Sequence, residues 1–288
     1  SGGTTGTNNA LTFGTTENNG DVTVSGDIAN GTGSLAKAGS GTLAFTGTTG
    51  TVGPAHLIAG TLSVGGSSTL NTAEVDSAAS TTLTIATGGS VVANYASGTT
   101  YFYGAMSGGG IFEKDGAGTL VFNHTFTAPR LTLVLNGGTL ALAGSAQITV
   151  GTIHITGNTI LDFGNSAGTF LSSGRLVIDA GVSVTVNNWM SIADNAALST
   201  VWYATNTVNG GALGGTDQVG GAPFNQIAFT GYTGSTTMWT TNHNGWFNHE
   251  IRPTPEPAAY GCMLLGTALT LVACRRLRAA LLAYNQRC

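Results

Sequence analysis

Along most of this chain a threonine is followed by an apolar or aromatic residue at nearly even intervals. The pairs are Thr42-Leu43, Thr61-Leu62, Thr82-Leu83, Thr100-Tyr101, Thr119-Leu120, Thr139-Leu140 and Thr159-Ile160, with spacings of 19, 21, 18, 19, 20 and 20 residues. After most of them an apolar residue recurs two positions on: Leu43/Phe45, Leu62/Val64, Leu83/Ile85, Leu120/Phe122 and Leu140/Leu142. Ile153/Ile155, Leu176/Ile178 and Val182/Val184/Val186 continue the alternation. Period two places one set of side chains on one face, the pattern of a strand with one buried side. A strand every ~20 residues, set between Gly and Asn turn signals, predicts a solenoid. A single coil cannot bury its own apolar row, but coils stacked at roughly 4.8 Å bury a continuous column. The expected fold is all-β, a right-handed parallel β-helix, with the Thr-Leu strands at 42, 61, 82, 119 and 139 stacked along one sheet. The competing arrangement is an antiparallel β-sandwich, which prefers strands every 8–12 residues joined by hairpins.

A longer repeat overlies the short one. Gly33-Ser-Leu-Ala-Lys-Ala-Gly-Ser-Gly-Thr-Leu-Ala-Phe45 matches Gly110-Ile-Phe-Glu-Lys-Asp-Gly-Ala-Gly-Thr-Leu-Val-Phe122 at an offset of 77 residues. Ala59-Gly-Thr-Leu-Ser-Val64 then matches Gly137-Gly-Thr-Leu-Ala-Leu142 at an offset of 78. Over roughly residues 25–145 these blocks resemble the autotransporter-associated β-strand repeat. Recurrence of Lys37 and Lys114 at one position of a turn suggests a structural or solvating role for lysine there.

The texture changes near Asn187. All four tryptophans, Trp189, Trp202, Trp239 and Trp246, fall in the next 60 residues with Tyr203, Phe224, Phe229, Tyr232 and Phe247, and the regular period is lost. A solenoid end exposes unpaired strand edges and needs a cover. The expected division is a solenoid over 1–187, an aromatic-rich β cap or small β module over 188–252, and a tail over 253–288.

The tail opens with prolines and carries the triplet Pro255-Glu256-Pro257. Ala258 to Cys274 follows without a charge, and Arg275, Arg276 and Arg278 come directly after it. As a helix, 17 residues span roughly 26 Å, the short end of what crosses a hydrocarbon core. Arginines beyond the span favour the cytoplasmic side, which predicts a single transmembrane helix with the rest of the chain outside. The prolines make an extended spacer. The order of triplet, apolar span and arginines closely resembles the bacterial PEP-CTERM sorting signal, although Ala279 to Cys288 runs on beyond the arginines. The resemblance implies an exosortase-like processing enzyme as partner. It also implies passage through the membrane by residues 258–274 and delivery to the cell surface or extracellular matrix of a Gram-negative-type bacterium. Exopolysaccharide is a further candidate partner. The opening Ser-Gly-Gly-Thr-Thr-Gly shows no signal peptide, so a processed or truncated N-terminus is expected.

Composition agrees with an exported β protein. Glycine accounts for 45 of 288 residues and charged residues for only 8 %. So few charges do not fit a nucleic-acid binder, which needs a basic face, and the net charge of −4 is too small to imply a charged partner. All three cysteines, Cys262, Cys274 and Cys288, lie in the tail, so the body carries neither disulfides nor a thiolate metal site. Gly164-Asn-Ser-Ala-Gly168 fits the G-x-S-x-G nucleophile pattern, but no helical pattern follows it. His243 and His249/Glu250 have no metal-ligand spacing, and His56, His124 and His154 are isolated. Glu74/Asp76 and Glu113/Asp115 are i, i+2 pairs that a strand would set on one face. No catalytic residue, metal or cofactor is assigned. The functional expectation is a non-enzymatic structural or adhesive solenoid. The alternative is a carbohydrate-binding or polysaccharide-cleaving β-helix, with the aromatics of the cap as possible stacking surfaces for sugars.

Overall fold

The structure, a computed structural model, describes residues 10–14, 20–164, 166–190, 201–212, 216–232, 235–241 and 249–254. The chain winds into a parallel β-solenoid of about eight turns. Each full coil supplies three short strands, and the strands stack into three walls. Wall 1 holds Leu35–Lys37, Pro54–Leu57, Glu74–Ser77, Thr99–Phe102 and Thr119–Phe122, then 139–142, 159–162, Val184–Asn187 and Ile227–Phe229. Wall 2 begins with Val22–Val24, Thr42–Phe45, Thr61–Val64, Thr82–Ile85 and Ala105–Gly108. Wall 3 includes Thr49–Thr51, Thr69–Thr72, Ser90–Asn94 and Ile111–Asp115. Every ladder between these coils is parallel, which removes the sandwich arrangement.

Alternation does the sorting. Outward positions in Thr42–Phe45, Thr61–Val64 and Thr82–Ile85 are Thr, Ala or Ser, and inward positions are Leu43/Phe45, Leu62/Val64 and Leu83/Ile85, all at most 1 % exposed. β-branched threonine suits the pleated, half-exposed face. The inward residues of all three walls form one continuous apolar column.

The expected single stack of Thr-Leu strands divides between two walls. Thr42, Thr61 and Thr82 pair in register on wall 2, but the next partner of Thr82 is Ala105. Thr119 and Thr139 pair with each other on wall 1, below Thr99. The sequence interval of 18 between Thr82 and Thr100 therefore hides a change of wall. Register shifts too. Thr100 stands opposite Leu120, so Thr100 points inward and Tyr101 outward. Ile160 is likewise turned out, with Thr159 buried. A one-residue slip moves every side chain of a strand to the other face.

The 13-residue repeat is a corner. Lys37 ends a wall 1 strand and Lys114 lies in a wall 3 strand, so the repeat reappears at a different corner of the coil. Both lysines are almost fully buried. The Lys37 ammonium donates to the carbonyls of Ala38 (2.8 Å), Gly39 (2.8 Å) and, one coil on, Ala59 (3.3 Å). The Lys114 ammonium donates to Gly116 (3.0 Å) and, one coil on, Gly137 (2.8 Å). Gly60 and Gly138 follow the distal carbonyls with φ of +72° and +66°, and a β-carbon at either would collide with the corner carbonyls and the ammonium. This explains the second repeated block: its glycine makes room for the lysine of the coil before.

The parallel ladders run past residue 187 into 201–204 and Ile227–Phe229. Antiparallel strands Gln218–Val219, Thr237–Trp239 and Ile251–Pro253 then form a small sheet against the last coil. Trp189 packs edge-on between Phe163 and Phe229. The Trp239 indole donates to the carbonyls of Ala204 (3.0 Å) and His249 (3.1 Å). Among the described residues no helix is long and apolar enough to cross a membrane. The expected span Ala258–Cys274, the triplet Pro255, Glu256, Pro257 and the arginines Arg275, Arg276 and Arg278 lie outside the described residues.

Candidate functional site

Where the phase slips, wall 1 opens. Glu74–Ser77 pairs with Pro54–Leu57 along its whole length, but meets the next coil only at Ser77 opposite Phe102. The inserted segment before Thr99 carries Tyr95, which turns inward and is 2 % exposed. Its hydroxyl donates to the Val75 carbonyl (3.1 Å) and accepts from the Val75 amide (3.3 Å). A side chain thus satisfies the backbone groups that the missing ladder would leave unpaired, as buried backbone polar groups require. Burial pushes the Tyr95 phenol well above its ordinary pKa. The Lys114 ammonium lies 5.6 Å from the centre of the same ring. Desolvation lowers the Lys114 pKa to about 8, against a smaller raising effect from Asp115.

The opening forms a shallow groove of about 460 Å³ on the outside of wall 1. Glu74 and Asp76 share its floor, as their i, i+2 spacing on a strand requires. Inward-turned Thr100 donates its hydroxyl to Glu74, bridging the splayed strands. His56 Nδ1 stands 2.6 Å from an Asp76 oxygen. Tyr101 and Tyr103 line one side with near-parallel rings, 5.8 Å between centroids and 14° between planes. They are 45 % and 38 % exposed, and Ile58 on the opposite side is 55 % exposed. Among the described residues these are three of seven exposed large hydrophobic side chains, so apolar surface is concentrated here.

The other candidates resolve into structure. Glu113 faces outward beside Lys114, while the Asp115 carboxylate accepts the Gly116 amide (2.7 Å) and closes its own turn. His154 pairs with Asp179 at 2.9 Å, and His124 is exposed. Ser166 lies in a turn whose carbonyl accepts from Thr169, and the strand Phe170–Ile178 follows where a nucleophile elbow needs a helix. Glu250 is fully buried in the cap. Desolvation raises its pKa to about 8, opposed by Arg252, whose guanidinium is 3.7 Å away. His249 packs against Trp239, and His243 lies outside the described residues. Among the described residues no three acidic, His or Cys side chains gather as metal ligands. Trp189, Trp202, Trp239, Phe224 and Phe229 are all buried, so these cap aromatics are packing and not a binding face.

Sequence reasoning found Glu74 and Asp76 but missed the tyrosines. The signal was Thr99-Thr-Tyr-Phe-Tyr103, in which either Phe102 alone or the two tyrosines can face the core. Compared with known proteins, the chain matches no family model, no curated protein and no solved structure.

Proposed function

We propose that this chain is an exported, non-enzymatic structural or adhesive solenoid of the bacterial cell surface or extracellular matrix, wound right-handed and sorted by its PEP-CTERM-like tail. The observation that carries the proposal is the solenoid body itself. Stacked coils with hydroxyl-coated outer faces and lysine-stapled corners make a rod whose useful property is surface. A rod tethered through a proline spacer and a short apolar span presents that surface to the surroundings. An exosortase-like transpeptidase releases it from the span near Pro255-Glu256-Pro257, leaving the arginines on the cytoplasmic side.

The test is to express the chain behind a secretory leader in a bacterium with such a transpeptidase, and to fractionate the cells. The reading expects a surface or medium form lacking residues 258–288. Substituting Arg275, Arg276 and Arg278 by Glu is expected to leave the chain misoriented and unprocessed. A mature protein that stays in the cytoplasm with its tail intact contradicts it. The alternative of sugar recognition draws support from one observation, the tyrosine-lined groove.

A further inference from the structure

We infer that the groove over Glu74, Asp76, Tyr101 and Tyr103 is a non-catalytic binding site for a neutral polysaccharide. The inference rests on the reading of the rod as an adhesive surface protein and names what it would adhere to. Two tyrosine rings and Ile58, three of the seven exposed large hydrophobic side chains among the described residues, meet here, whereas the outward positions of the wall 2 strands Thr42–Phe45, Thr61–Val64 and Thr82–Ile85 are threonine, serine and alanine. Exposed apolar surface of this kind marks an interaction site when it is concentrated and rimmed by polar groups. The charged groups that line it are carboxylates, which only accept hydrogen bonds when ionised. A fitting ligand therefore offers many hydroxyl donors together with flat C–H faces. A pyranose chain has both.

Other occupants fit less well. The groove is lined by Glu74 and Asp76 and by no lysine or arginine, so polyanions are repelled. A peptide added as an extra strand needs free backbone groups at a sheet edge. At this opening the Val75 amide and carbonyl are taken by Tyr95, and the Gly104 amide is taken by the Ser77 hydroxyl at 2.7 Å. What is left for a ligand is side-chain chemistry alone.

Both tyrosines are exposed, Tyr101 in the strand Thr99–Phe102 and Tyr103 directly after it, so removing them tests the site without disturbing the core. The full chain, solubilised in detergent, is run in native gels containing hydroxyethylcellulose, galactomannan or soluble starch, with alginate as the anionic comparison. The expected result is retardation by at least one neutral polymer and none by alginate. Tyr101→Ala/Tyr103→Ala should raise the dissociation constant at least tenfold with an unchanged thermal midpoint. Asp76→Asn should weaken binding while leaving the ring pair in place. No retardation by any neutral polymer, equal retardation of wild type and tyrosine variant, or stronger retardation by alginate would each overturn the inference. Surface delivery without binding removes the groove and leaves the sorting proposal standing, whereas binding without delivery does the reverse.

Discussion

From Thr42 to Ile85, wall 2 repeats itself coil after coil. Thr42, Thr61 and Thr82 lie in line, with aliphatic Leu43, Leu62 and Leu83 directly behind them. The turn containing Ser90–Asn94 and Thr99–Phe102 breaks this regularity on wall 1. There the ladder shrinks to one pair, the interior fills with Tyr95, Phe102, Phe112 and Phe122, and the outside gains an aromatic groove. Phe102, Phe122 and Phe126 pack edge to face at 5.9 and 5.3 Å. A regular coil keeps its backbone ladders to both neighbours, with Lys37 binding carbonyls only at a corner. An irregular one has to replace missing backbone partners with side chains, and those side chains, Tyr95 in the core and buried Thr100 bonded to Glu74, define the groove. Irregularity and candidate function therefore share one coil.

Four variants sharpen the contrast. Tyr95→Ala removes a fully packed ring and both partners of Val75. A loss of about 3–5 kcal/mol is expected from denaturant unfolding of the solenoid, typical for emptying a buried aromatic site. Tyr95→Phe keeps the ring and should cost about 1–3 kcal/mol, the penalty for buried groups left without hydrogen bonds. A Phe variant as stable as wild type would show that the hydroxyl does not replace the ladder.

Lys114→Met comes next, at about 1–3 kcal/mol, because the Gly116 and Gly137 carbonyls lose their donor. Its pH dependence is more specific. The folded-state pKa is lowered to about 8 from 10.5, so between those values the unfolded chain binds a proton that the fold does not hold. Stability from this group therefore rises with pH across that interval. Wild type should gain on Lys114→Met as pH increases from 8 toward 10.5, and a flat difference in unfolding free energy over this range would contradict the burial of a strained ammonium. Smallest of all, Tyr101→Ala/Tyr103→Ala should change stability by no more than about 0.5 kcal/mol per site, as exposed side chains do. A larger loss in calorimetry would make the tyrosines part of the scaffold.

Much of the architecture was readable from period two within strands and period ~20 between them, because each stacked coil must bury an equivalent row. The choice of wall was not readable. Coil length varies by a few residues at the corners, and the interval from Thr82 to Thr100 looks like one more coil although it crosses to another wall. Nor was the facing of Thr99–Phe102, since Tyr101, Phe102 and Tyr103 are aromatic at both parities and leave no amphipathic signal. The lysine repeat was visible as a repeat, but its meaning required the next coil: the ammonium binds carbonyls 22 and 23 residues further on. Glu74 and Asp76 were found by strand parity, whereas His56, Thr100, Tyr101 and Tyr103 joined them only through stacking.

The slipped coil can be tested directly by disulfide mapping in the chain with Cys262, Cys274 and Cys288 changed to serine. Thr82 and Ala105 are cross-ladder neighbours on wall 2. Adjacent strands lie about 4.8 Å apart, and disulfides close over Cα separations of roughly 4.4–6.8 Å. Thr82→Cys/Ala105→Cys is therefore expected to oxidise readily, while Thr82→Cys/Thr100→Cys, the pair that an unbroken sequence period would align, should stay reduced. Efficient oxidation of the second pair and not the first would place Thr100 on wall 2 and remove both the slip and the groove.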